Sequence, residues 1–132
     1  MFDDRIHRAA APMAVGDVLV LAVVFALGTA RHQGFAVLTD RPLYVLATIA
    51  PFLFGWAVAS LPLGAYAIGA VESSTAAVYL ALRAWLVGDL IALALRATPW
   101  LHGGVELSFL LVTLLFGALG LAVWRVVYHR FA

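Results

Sequence analysis

The sequence predicts an all-α polytopic membrane protein, a compact bundle of four transmembrane helices, and three observations carry that reading. Hydrophobic residues make up 65% of the chain and charged residues 11%, and the mean hydropathy of +1.05 is far above that of soluble domains. Four apolar runs approach the roughly 20 residues that a helix needs to cross a hydrocarbon core. Between the first and second runs (RHQGFAVLTDR), and between the third and fourth (TPWLHGG), short connections carry the Gly, Pro, Asp and Thr of helix-to-helix turns.

The first run, residues 13–30, could serve as a signal h-region, but three more such runs follow and MFDDRIHR has two acids among its bases, so it reads as a retained span. The second, 42–61, contains Pro51 in APFLFGW. Proline has no N–H for the Ala47 carbonyl, so a helix break is expected there, either lining a cavity or satisfied by neighbours. The connection LPLGAYAIGAVESS is apolar, with Pro62, Gly64 and Gly69, and is open to three readings: loop, interfacial segment or helix extension. Ser73 or Ser74 is the expected N-cap of the third span, 75–97, and the fourth covers 105–127. Residues 1–132 are expected to form one four-span domain.

Four spans place both termini on one side of the cell membrane. That side holds Arg5, Arg8, Arg125 and Arg130, and the other Arg31, Arg41 and Arg96, so the positive-inside rule favours cytoplasmic termini by one arginine; dual topology is the alternative. All eight basic residues are arginine, cysteine is absent and the formal net charge is +1. No basic stripe for nucleic acid and no disulfide or thiolate metal site follows from that inventory.

Two near-identical phrases, VGDVLVLAV at 15–23 and VGDLIALAL at 87–95, each open an apolar run with an aspartate. Each is followed by a histidine near glycine and then by Phe-Gly (Phe54-Gly55, Phe116-Gly117), which suggests two parallel helix-hairpin repeats. The intervals between matching features differ, and chance matches among Val, Leu, Ala and Gly are the alternative.

A charge near the bilayer centre costs at least about 2.5–3.5 kcal/mol, so Asp17, Arg83, Asp89 and Arg96 are expected to face protein or water and to form an intramembrane polar network. Arg83 and Asp89 are about 120° and 9 Å apart on one helix, too poorly placed to pair. Asp17 lies about 6 Å and Arg83 about 12 Å into helices that run in the same direction, and an arginine can snorkel several ångströms toward its helix N-terminus, so these two are the expected pair. Asp89 then looks to Arg31, His32 or Arg41, or to Arg96. Ala77, Ala81, Ala84, Gly88 and Ala92 form a small-residue stripe for close helix packing, and Gly117 and Gly120 offer a similar surface. On the side opposite the termini, Arg31, His32, Arg41, His102 and Glu106 form a polar cluster that could relay protons or hold a metal, haem or quinone. No HxxxH or CxxC spacing supports a metal, and no phosphate loop, nucleophile elbow or acid/base pair is present. No cofactor is predicted, with metal, haem or quinone left open, and nothing in the sequence demands an enzyme.

Several segments together resemble a known family: Asp17, Phe25, Gly28 and His32 in GDVLVLAVVFALGTARHQG, PFLFGW at 51–56, LRAWLVGDLIALALR at 82–96, and GGVELSFLLVTLLFGALGLAVWR ending at Arg125. In this order they are similar to a small prokaryotic membrane family catalogued as domain of unknown function 3054. The resemblance implies a compact multi-span architecture and carries no catalytic residues.

Packing surfaces outnumber chemical ones, so the leading expectation is a structural or accessory membrane component, surrounded by the lipid bilayer and working as a homo-oligomer or beside a larger membrane protein. The alternatives are a small oligomeric transporter or channel using Asp17, Arg83 and Asp89, and a redox or cofactor-binding subunit using His32 and His102.

Overall fold

The computed structural model describes residues 7–98 and 107–131, and the described chain is helical. A 3-10 turn at Arg8–Ala10 leads into α1 (Ala11–Gln33); the short α2 (Val37–Asp40) precedes α3 (Pro42–Ser60), the short α4 (Ile68–Glu72) precedes α5 (Ser74–Arg96), and α6 is Leu107–Phe131. The four long helices are each apolar and long enough to cross a membrane, which marks a multi-pass membrane protein.

Local chemistry sets the boundaries. Gly34, at φ +93°, closes α1 with its N–H on the Ala30 carbonyl, a backbone conformation that a Cβ would strain. Pro42 opens α3 where its missing N–H costs nothing. Ser73 caps α5, its hydroxyl accepting from the Ala76 N–H at 3.1 Å. Pro51 is buried within α3, which continues to Ser60. Two apolar surface grooves, one between α1 and α6 and one between α1 and α3, are lined by other residues.

Neighbouring helices alternate in direction around a ring, α1–α3–α5–α6, so α1 and α5 lie on one diagonal. Lipid supplies no hydrophobic driving force between helices, so close backbone approach does that work. The tightest crossing joins α3 and α5, where a Cβ on Gly88 would lie 3.1 Å from the Gly55 carbonyl oxygen and a Cβ on Gly55 would collide with that of Gly88. Ala77, Ala81, Ala84, Gly88 and Ala92 are all buried, so the small-residue stripe faces the interior of this chain. On α6 a Cβ at Gly117 would enter the Trp85 ring, and on α1 a Cβ at Gly16 would enter that of Trp124. The centre is aromatic: Phe25 stacks on Phe52 at 4.2 Å, and Trp85 lies 5.9 Å from Phe25 and 6.5 Å from Trp56.

The connection after α3 resolves its three-way ambiguity as a turn followed by a short helix. Its reversal uses Gly64 at φ +80°, the His7 N–H donates to the Tyr66 carbonyl at 2.6 Å, and Ala65, Tyr66 and Ala70 are buried. The connection therefore plugs the end of the bundle where α1 begins and α6 ends.

Candidate functional site

Two polar centres sit at different depths in the bundle. The first is built on Asp17. Buried positions on α1 include Met13, Asp17, Leu21, Phe25 and Thr29, and those on α6 are Thr113, Gly117, Leu121 and Arg125. Both sets recur every four residues, so each is one helix face. Where the faces meet, Asp17 and Arg125, both 0% exposed, form an ion pair. Arg125 Nε donates to Asp17 Oδ1 at 3.2 Å and Nη2 to Oδ2 at 2.7 Å, the two-pronged geometry that favours arginine over lysine. Nη1 donates at 3.0 Å to the carbonyls of both Ala65 and Ala77. One guanidinium thus ties together α1, α5, α6 and the turn after α3.

Asp17 Oδ2 also accepts from the Tyr66 hydroxyl at 2.8 Å, and the Tyr66 oxygen accepts from Trp56 Nε1 at 2.8 Å, which brings in α3. Burial, reinforced by the neighbouring Asp17 carboxylate, pushes the Tyr66 phenol above its ordinary range, so it remains a donor. Beside this centre Trp124 Nε1 donates to the Met13 carbonyl at 3.0 Å, and a His129 ring nitrogen lies 2.8 Å from the Ala70 carbonyl.

Arg83, the expected partner of Asp17, lies elsewhere. It is exposed, and its Nε and Nη2 reach the Leu63 carbonyl at 3.2 and 2.6 Å. The side chain does lean toward the start of α5, but its azimuth is wrong: two residues past buried Ala81 puts it about 200° around the helix. The diagonal arrangement of α1 and α5 further separates it from Asp17, while α6 adjoins α1 directly. Asp17 pairs with Arg125 instead.

The second centre is Asp89, also 0% exposed. The Thr113 hydroxyl lies 2.8 Å from Asp89 Oδ2, and among the described residues Oδ1 has no hydrogen-bond partner. Trp85 joins the same two helices, its Nε1 shared between the Thr113 and Leu114 carbonyls at 3.3 and 3.2 Å. Arg96, two turns beyond Asp89 on the same face, is buried with its guanidinium carbon 4.6 Å from the Phe109 ring centre and 5.9 Å from that of Phe52. Asp89 therefore engages a threonine on α6 and, among the described residues, none of Arg31, His32, Arg41 or Arg96.

Of the expected cluster opposite the termini, Arg31, His32 and Arg41 are exposed, and Arg41 caps the Tyr44 ring at 4.3 Å; His102 and Glu106 lie outside the described residues. Among the described residues no group of three or more His, Cys, Asp or Glu is arranged to hold a metal. Arg125, Tyr66, Trp56 and Thr113 are not among the site residues that the sequence suggests. For Arg125 and Thr113 the signal was available: they stand twelve residues apart on the four-residue stripe that holds Gly117 and Leu121.

Fold and site together define an all-α four-helix membrane bundle carrying a buried ion pair. The chain belongs to the family described as protein of unknown function (DUF3054), whose model matches residues 14–128. Comparison with curated proteins and with solved structures returns no match.

Proposed function

We propose that this protein is a structural or accessory component of the membrane, acting through helix packing beside a larger membrane protein or another copy of itself. The Asp17–Arg125 centre is the observation that supports this reading. Charges that line a solute path need a side open to water, whereas this pair is fully buried and four of the five N–H groups of Arg125 engage protein acceptors. Arg83, the most accessible charge along α5, holds the turn of its own chain. The Asp17 and Asp89 centres are turned inward, and the outward faces of α1 and α6 present large apolar side chains such as Leu19, Val23, Leu115 and Leu119.

Cross-linking in native membranes followed by mild-detergent extraction tests the proposal. A defined complex, either with one membrane protein at fixed stoichiometry or with further copies of this chain, is expected. A monomer without cross-linked neighbours, or an assembly that conducts solute in liposomes, would overturn it.

A further inference from the structure

We infer that Asp89 is a reversible proton-binding site, with the proton held between its Oδ2 and the hydroxyl of Thr113. Hydrogen counting carries the inference. Thr113 Oγ lies 2.8 Å from Asp89 Oδ2 and 3.1 Å from the Leu110 carbonyl oxygen. A threonine hydroxyl has one hydrogen to donate, and a backbone carbonyl can only accept. If Asp89 is a carboxylate, both neighbours of Oγ are acceptors and compete for that one hydrogen. If Asp89 carries a proton, Oδ2–H donates to Thr113 Oγ and Oγ–H donates to Leu110, so both contacts are made.

Asp89 Oδ1 points the same way. It is buried and has no partner among the described residues. In a carboxylate it would share a full negative charge without a donor, a far costlier orphan than the carbonyl oxygen of a neutral acid. Asp17 supplies the internal contrast: it is equally buried, but two arginine N–H groups and a tyrosine hydroxyl surround it.

Among the described residues, the charged and titratable groups on the surrounding elements leave Asp89 uncompensated. On its own helix Arg96 lies about 10 Å further along and rests on aromatic rings. On α3 the titratable side chain is Tyr44, near the opposite end from Trp56. On α6 the nearest charge in sequence, Arg125, is three turns away and occupied by Asp17. On α1, across the diagonal, Asp17 is paired, and Arg31 and His32 are exposed at the far end. The Phe25, Phe52, Trp56 and Trp85 rings pack on one another in the centre of the bundle. Release of the proton to solvent leaves a carboxylate, and the Thr113 hydroxyl must then turn from Leu110 to Asp89.

The experiment is infrared spectroscopy of the full-length protein in lipid nanodiscs, with carbon-13 in its aspartate carboxyls, titrated upward from neutral pH. We expect a carboxylic acid C=O band at neutral pH, its loss as pH rises, and its complete absence in Asp89→Asn. In Thr113→Val the band should move to higher frequency, because the acid loses its acceptor. Absence of the band from the unmutated protein at neutral pH overturns the inference without recourse to any variant. A band that persists in Asp89→Asn also overturns it.

Discussion

Neutralising one member of the Asp17–Arg125 pair should cost far more than removing both. Asp17→Asn keeps the shape and one acceptor oxygen but strands the Arg125 guanidinium, which is 0% exposed, in the bundle interior. Breaking a buried pair in this way costs about 3–5 kcal/mol. Arg125→Met strands the Asp17 carboxylate at a similar cost and withdraws the donor from the Ala65 and Ala77 carbonyls. Ala77 retains its place in the α5 ladder, so the residual penalty centres on Ala65, about 1–3 kcal/mol for one unsatisfied buried carbonyl. The double variant carries no stranded charge and should show mainly that residual. We therefore expect a coupling energy of at least about 3 kcal/mol in the double-mutant cycle. Reversible unfolding in mixed micelles, followed by circular dichroism, measures it. Strictly additive losses would refute the pairing; the parallel cycle with Asp17→Asn and Arg83→Met should be additive.

Tyr66→Phe should destabilise by about 1–3 kcal/mol, because it leaves Trp56 Nε1 without its acceptor and Asp17 with one donor fewer; the same micelle unfolding reads it. Since burial raises the Tyr66 phenol above its unfolded value, its contribution should be fully present below about pH 10 and decline above it as the unfolded chain ionises. Melting curves on the alkaline side should accordingly fall less steeply in Tyr66→Phe than in the unmutated protein. Gly88→Leu should force α3 and α5 apart at the Gly55 crossing and lower the Tm, with a cost of about 1–3 kcal/mol or more; an unchanged Tm would mean that the two backbones do not meet there. Gly117→Ala should displace the Trp85 ring and shift its fluorescence, a change that Gly28→Ala, with open space around it, should not produce.

The fold class was legible because four long apolar runs leave few alternatives in a chain this hydrophobic. Depth was legible too, since counting residues from a helix start places Asp17 and the Arg83 stem at comparable levels. Azimuth decides the partner: depth alone matches Arg83 to Asp17, but its position relative to Ala77 and Ala81 turns it away from the small-residue face. Arg125 counts as a boundary charge in the arginine tally that sets orientation, yet it continues the Thr113, Gly117, Leu121 stripe and so belongs to the interior. Tyr66 and the two alanine carbonyls could not be read from periodicity, because the turn that places Tyr66 and Ala65 has none. Which helices adjoin is a property of the ring, and that ring gives Asp17 its neighbour on α6 and Asp89 its threonine.

Whether the buried Asp17–Arg125 pair holds the bundle or lines a path is tested most directly by flux across liposomes containing the purified unmutated protein, beside liposomes containing the folded Asp17→Asn/Arg125→Met double variant. We expect potassium and proton flux at the level of protein-free vesicles from both. Flux above that level from the unmutated protein, abolished in a double variant that remains folded, would contradict the structural account.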